Sequence, residues 1–259
     1  MAVPPYFPIF ILALAIAVIV AAYILSFQSG VLDCMGGRFV TPAISLLMFD
    51  GPGRVLGQIG FPTISVLFAA CVLPLKRGLE QAHRNAKLPV PNLTMVLGSA
   101  CVAFLGLAVV GAIPLQQDVC AVMAGRTPLR NESIVHQSAA AIFFAASAVH
   151  MFTWLSLMAN VRRECIISRA SRPFSFWLKS ACFVFSWLPL PTAFALHPAS
   201  PVRTQLKLTE ADAGGLQQYV LVACVSSFFA SYSIELAAFA ALEKCPQPMA
   251  GAATQLKRD

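Results

Sequence analysis

FPIFILALAIAVIVAAYILSF, residues 7–27, is an unbroken apolar stretch that decides the fold class of this chain. At 1.5 Å per residue, a helix of about twenty residues crosses the roughly 30 Å hydrocarbon core of a bilayer. Further stretches of this kind occupy residues 55–75, 94–114, 138–158, 176–196 and 219–241. The sequence therefore predicts an all-α polytopic membrane protein with six transmembrane helices.

The composition of the chain agrees with a lipid environment. Hydrophobic residues make up 58% of the sequence and charged residues only 11%, whereas soluble domains carry about 25% charged residues. The first four predicted spans contain no Asp, Glu, Lys or Arg, so a helix is the structure that satisfies their backbone in lipid.

In the fifth span, Pro189 and Pro191 predict a kink or an early end. We expect residues 1–245 to form the membrane domain and residues 246–259 to form a cytoplasmic tail.

Lys and Arg residues are distributed unevenly between the two sets of connections. Twelve fall on one predicted side, namely Lys76, Arg77, Arg84, Lys87, Arg162, Arg163, Arg169, Arg172, Lys179, Lys244, Lys257 and Arg258, and six fall on the other. Because positive residues near span ends are retained in the cytoplasm, both termini are predicted to be cytoplasmic. The net charge of +7 is divided among these juxtamembrane segments. It therefore favours anionic cytoplasmic phospholipid as a partner, and nucleic acid is not predicted.

Four cysteines and one asparagine are candidates for covalent modification. Cys34 and Cys120 fall in predicted exoplasmic connections, where an oxidising lumen favours a disulfide between them and free thiols are the alternative. Cys165 and Cys245 are cytoplasmic and juxtamembrane; such positions are typical of S-palmitoylation, with unmodified thiols as the alternative. Asn131 begins an N-x-S glycosylation sequence close to span four.

Besides Lys179 at the start of span five, two ionisable residues lie further inside predicted spans. His150 is near the middle of span four, and Glu235 is in the cytoplasmic half of span six. Ionisable side chains at such depths are expected in the bundle interior or a wet cavity. For His150 we weigh a neutral ring bonded to a neighbouring helix against a functional role. For Glu235 we weigh a partner inside the bundle, with His150, Asn160 and Lys179 as candidates, against a side chain that extends to the headgroups.

Recognised catalytic and metal-binding motifs are absent from the sequence. It contains no H-E-x-x-H, G-x-S-x-G, Walker A or C-x-x-C pattern. We therefore assign no catalytic residue, metal or cofactor. A non-enzymatic function is favoured over a lumenal hydrolase built from His136, His197 and the carboxylates of the exoplasmic connections.

Short motifs in the chain resemble those of a known membrane-protein family. Pro42-Ala43-Ile44-Ser45 forms a P-x-I-S signature after span one, and Gly53-Arg54 precedes span two. HQSAAAIFF, which starts at His136, leads into span four, and FFASYSIE, residues 228–235, lies in span six. This order resembles the six-helix FRAG/DRAM/SFK family, which includes damage-regulated autophagy modulators and GPI-anchor lipid-remodelling factors.

The resemblance implies a role at a membrane without a recognised active site. It favours a non-enzymatic modulator of membrane lipid organisation, autophagy or endolysosomal trafficking, with membrane lipids and a membrane-protein or kinase complex as partners. A GPI-anchor lipid-remodelling factor in the ER or Golgi is one alternative. A small transporter or channel subunit centred on His150 and Glu235 is the other. Endolysosomal, Golgi, ER and plasma membranes are all compatible locations.

Overall fold

A computed structural model describes residues 3–30, 43–48, 50–85, 92–116, 121, 125–160, 172–188 and 210–244. Within these ranges the regular structure is helical and contains no strand. The helices are α1 Phe7–Gln28, α2 Ile44–Leu47, α3 Gly51–Asn85, α4 Thr94–Ala112, α5 Asn131–Asn160, α6 Arg172–Trp187, α7 Glu210–Ala230 and α8 Tyr232–Lys244. The all-α prediction is confirmed for the described part of the chain.

Five helical segments in the described ranges are long and apolar enough to cross a membrane. They are α1, α3, α4, α5 and Gly215–Ala241, which runs through α7 and α8. These segments correspond to predicted spans one to four and six. The chain is therefore an integral membrane protein, and a sixth crossing and the side on which the termini lie stay predictions.

Helix α6 occupies the position of predicted span five but is shorter than predicted. It has 16 residues, which at 1.5 Å each extend about 24 Å. The helix ends at Trp187, and Leu188 is no longer helical, well before the predicted limit at residue 196. The physical reason is Pro189, because proline disfavours the helical conformation of the residue before it.

Helix α3 continues beyond the predicted span 55–75. It has 35 residues, about 52 Å at the helical rise, so its C-terminal part extends past a hydrocarbon core. That part carries partly exposed ion pairs of Glu80 with Lys76 at 3.7 Å and with Arg84 at 3.9 Å. Part of the predicted cytoplasmic connection after span two is thus a continuation of the helix.

The longer helices pack in the order α1, α3, α4, α5, α6, α7 and back to α1, and α8 contacts α1 and α3. Aromatic rings fill the interior, with Phe68 stacked on Phe104 at 5.9 Å and Phe229 against Phe104 at 4.9 Å. Helices α4 and α5 approach closely at Gly106, where a Cβ atom would lie 3.0 Å from the Ala139 carbonyl oxygen. A larger residue there would require the backbones of the two helices to separate by a few tenths of an ångström, so glycine suits this close approach.

The short helix α2 packs on the ends of its neighbours. Ile44 and Leu47 are buried, the backbone N–H of Ile44 donates to Oε1 of Gln218 at 2.7 Å, and Ser26 Oγ donates to the Leu47 carbonyl at 2.5 Å. These bonds tie α2 to α7 and α1. The apolar side chains of Ile44 and Leu47 are therefore covered by the ends of the longer helices, although they lie in a connection between two spans.

Candidate functional site

A buried ion pair between Lys179 of α6 and Glu235 of α8 is the central polar feature of the bundle. Lys179 is 0% exposed and Glu235 is 1% exposed. Lys179 Nζ lies 2.9 Å from Oε1 and 3.0 Å from Oε2 of Glu235. Lys179, which the sequence analysis placed among the cytoplasmic charges, is instead inside the protein. The reason is that α6 turns this residue towards α8.

Ser175 completes the arrangement around this ion pair. It precedes Lys179 by one helical turn, so both side chains project from the same face of α6. Its hydroxyl donates to Glu235 Oε1 at 2.6 Å and accepts from Lys179 Nζ at 2.8 Å. All three N–H donors of the ammonium group are then used, and both carboxylate oxygens accept. A closed set of bonds of this kind offsets the large cost of removing two charges from water.

His150 of α5 forms the second half of the buried cluster. Its Nδ1 lies 2.8 Å from the carbonyl oxygen of Val96 in α4, and its Nε2 is hydrogen-bonded to the Tyr232 hydroxyl. A carbonyl oxygen can only accept, so Nδ1 carries the hydrogen and Nε2 of the neutral ring accepts from Tyr232. The structure thus shows His150 bonded to two neighbouring helices, and the neutral state of its ring stays a prediction.

Tyr232 joins the two halves of the cluster. Lys179 Nζ lies 5.2 Å from the centroid of the Tyr232 ring and 5.7 Å from that of Phe228, within the range of a cation–π contact. Trp154 packs edge-on against Tyr232 at 4.9 Å, and the imidazole of His150 stacks on Phe229 at 5.2 Å. The polar groups are therefore enclosed by aromatic rings from α5, α7 and α8. We call His150, Ser175, Lys179, Tyr232 and Glu235 the buried cluster.

Of the three candidate partners for Glu235, the structure selects Lys179. His150 bonds to Tyr232 instead, and the side chain of Asn160 is outside the described set. Sequence reasoning missed Ser175 and Tyr232 as members of the cluster. Their spacing was an available signal, since Ser175 lies four residues before Lys179 and Tyr232 lies three residues before Glu235, so each shares a helix face with an ion-pair residue.

A second polar pair lies at the end of the bundle where α3 and α5 begin. His136 Nδ1 is 2.8 Å from the carbonyl oxygen of Ile113, and His136 Nε2 is 3.1 Å from Ser45 Oγ. By the same reasoning as for His150, Nδ1 donates and Nε2 accepts from the serine hydroxyl. Ser45 belongs to the P-x-I-S signature, and His136 begins the motif before span four. Two motifs that are far apart in the sequence are thus in direct contact.

Several other predicted site residues lie outside the described set. They are Pro42, Cys34, Cys120, Cys165 and Cys245, so the proposed disulfide and palmitoylation sites stay predictions. Asn131 is the first residue of α5 and is exposed; its glycosylation stays a prediction as well. Ile44, the other described residue of the P-x-I-S signature, is buried and contributes packing to α2.

The chemistry open to the buried cluster is hydrogen bonding and charge pairing between helices. Across the described ranges no group of three or more His, Cys, Asp or Glu residues is placed to hold a metal ion. The cluster connects α4, α5, α6 and α8 through side-chain bonds that lipid cannot replace, because hydrocarbon offers no hydrogen-bond partners.

Comparison with protein families identifies the chain's relatives. A family model described as the Frag1/DRAM/Sfk1/Cwh43P N-terminal domain matches residues 4–239. The chain belongs to this family. The match includes every helix from α1 to α7 and most of α8, so both the buried cluster and the His136–Ser45 pair are part of the family domain. No curated protein and no solved structure matches the chain.

Proposed function

We propose that this family member is a non-enzymatic integral membrane protein that modulates membrane lipid organisation in autophagy or endolysosomal trafficking. Membership of the family over residues 4–239 supports a function within a membrane. The observation that carries the non-enzymatic part is the closed bonding of the buried cluster. Every N–H of the Lys179 ammonium and both oxygens of Glu235 are bonded within the protein, whereas a general base needs a lone pair that reaches its substrate.

Anionic phospholipid of the cytoplasmic leaflet is the proposed partner at the basic connections. Arg77 and Arg84 are exposed on the extended C-terminal part of α3, where the helix leaves the predicted span. Each Lys or Arg near an anionic membrane surface contributes about 1 kcal/mol of attraction. The same surface is available to a membrane-protein or kinase-complex partner.

A GPI-anchor lipid-remodelling factor in the ER or Golgi is the second candidate. The His136–Ser45 pair favours it, because the pair lies at the predicted lumenal end of the bundle, beside the leaflet that holds the lipid part of a GPI anchor. A small transporter or channel subunit is the third candidate and would use His150 and Glu235 as its polar path. The closed bonding of the buried cluster favours fixed packing over such a path.

A knockout with two measurements tests these alternatives. Altered autophagic flux with normal surface levels of GPI-anchored proteins would support the first candidate, and loss of those surface proteins would support the second. Wild-type values for both would contradict both candidates. A tagged, rescuing copy in the same cells reports whether the protein is in endolysosomal, Golgi, ER or plasma membrane.

A further inference from the structure

A shallow cleft opens between α2, α3, α4 and α5 at the end of the bundle where α3 and α5 begin. Its polar lining consists of Ser45, Arg54, Gln58 and His136, and Met48 and Phe61 contribute apolar walls. The interior space is small, on the order of one water molecule. The cleft therefore admits about one polar atom, such as a single oxygen of a ligand whose remainder lies at its mouth and outside.

Arg54 is the unused charge in this cleft. The side chain is half-buried, and within the described ranges its guanidinium has neither a salt bridge nor a hydrogen bond. A guanidinium offers five N–H donors in a planar fork that matches phosphate oxygens. Gln58 lies one turn further along α3 and lines the same cleft, so its amide adds a neutral donor. His136 and Ser45 are bonded to each other at 3.1 Å and form a wall.

The position of Arg54 along α3 sets its depth in the membrane. It is in the first turn of the helix, directly before the apolar stretch 55–75, which places it at the level of lipid headgroups. Val55 and Ile59 follow Arg54 and Gln58 directly in the sequence of α3 and lie beside them on the helix surface. They are 54% and 65% exposed. A charged donor is thus adjacent to an apolar surface that faces lipid. This pairing suits a ligand with a phosphate and a hydrocarbon chain better than it suits a free phosphate ion.

We propose that the cleft binds the phosphate group of a membrane phospholipid. Arg54 forms charge-assisted hydrogen bonds to the phosphate oxygens, Gln58 donates a further bond, and the acyl chains lie against Val55 and Ile59. This site deepens the proposed function, on which it rests, because it names the class of lipid that a modulator of lipid organisation contacts at its predicted exoplasmic end. It is distinct from the attraction of anionic lipid to the basic connections at the opposite end.

The test is a thermal-shift titration of the purified, detergent-solubilised chain. The probe is a short-chain phosphatidylinositol, whose headgroup adds no positive charge. The matched diacylglycerol, which lacks phosphate, and inorganic phosphate are the comparison ligands. Of these three ligands, we expect only phosphatidylinositol to raise the midpoint of thermal unfolding. In Arg54→Gln the apparent affinity should fall about tenfold or more, since hydrogen bonds to charged groups are the strong ones.

Two further variants keep the test decisive. Arg126→Gln removes an exposed arginine at the same end of the bundle and should bind phosphatidylinositol as the parent chain does. Because Arg54 has no described partner, Arg54→Gln should unfold at the parent's midpoint when no lipid is added. If Arg54→Gln unfolds at a lower midpoint than the parent, Arg54→Lys becomes the test variant. Lysine keeps the positive charge but lacks the planar fork of donors, so binding should still weaken.

Three results would overturn the proposal. If diacylglycerol stabilises the protein as much as phosphatidylinositol does, only the apolar surface binds. If inorganic phosphate does so, the cleft is a free-anion site. If both Arg54 variants bind phosphatidylinositol as the parent does, the lipid binds elsewhere. Because binding is measured on purified protein, a negative result here leaves the outcome of the knockout intact. Conversely, normal autophagic flux and normal GPI-protein levels in the knockout would contradict the proposed function but would not contradict lipid binding measured on the purified protein.

Discussion

Removing one partner of the Lys179–Glu235 ion pair should destabilise the bundle strongly. In Glu235→Leu the ammonium group of Lys179 loses two of its three acceptors, while it stays fully buried. Breaking a buried pair in this way costs about 3–5 kcal/mol because an uncompensated charge is left behind. Lys179→Met leaves the carboxylate unpaired and should cost a similar amount. Each 1.4 kcal/mol changes an equilibrium tenfold, so either change lowers the ratio of folded to unfolded protein by roughly a hundredfold or more.

The double variant Lys179→Met with Glu235→Leu should recover most of this loss. It removes both charges, and replacing a buried ion pair by apolar residues is often neutral. Ser175 loses both of its side-chain partners, which costs about 1–3 kcal/mol for an unsatisfied hydroxyl. The double variant should therefore lie within about 3 kcal/mol of the parent, with a coupling free energy of at least about 3 kcal/mol between the two sites.

The measurement is the temperature at which half of the detergent-solubilised protein loses its monodisperse elution, together with cellular abundance. For a chain of this size, 1 kcal/mol shifts the midpoint by about 2–4 °C, so each single variant should lose about 6–20 °C. Glu80→Leu is the matched control, because it breaks only partly exposed ion pairs with Lys76 and Arg84, and each such pair contributes at most about 1 kcal/mol. Single variants as stable as the parent, or a double variant with the summed loss of both, would refute the reasoning.

Three further predictions concern packing, the histidine and topology. Gly53→Ala places a Cβ atom 2.1 Å from a backbone oxygen of α2 and should lower the unfolding midpoint, whereas Gly98→Ala, which meets nothing within 4 Å, should not; equal midpoints would contradict the close packing of α2. Tyr232→Phe leaves Nε2 of His150 without its donor and should cost about 1–3 kcal/mol by the same assay, and a variant as stable as the parent would argue against this bond. Cys165, as the only cysteine retained, should react with a membrane-impermeant maleimide only after permeabilisation, and labelling of intact cells would reverse the predicted topology.

Local patterns in the sequence were sufficient for the membrane class and for most helix positions. A helix satisfies its own backbone bonds, so an apolar run such as 7–27 indicates a membrane helix whatever its neighbours are. The early end of α6 before Pro189 follows from the conformational limits of a single dipeptide. The burial of His150 was likewise predictable, because ionisable groups near the middle of a span are costly in lipid wherever the other helices lie. For Glu235 the sequence left the bundle interior and the headgroups as alternatives.

The identity of each partner depended on the tertiary structure. Three residues were candidates to pair with Glu235, and only the placement of α6 beside α8 selected Lys179. The same placement removed Lys179 from the cytoplasmic charges, a change that no count of Lys and Arg could reveal. Ser45 and His136 are separated by 91 positions, and their contact requires α2 to fold back onto the ends of the helices. Bonds within a helix are set by neighbouring residues, whereas bonds between helices depend on which helices pack together, and only the whole bundle decides that.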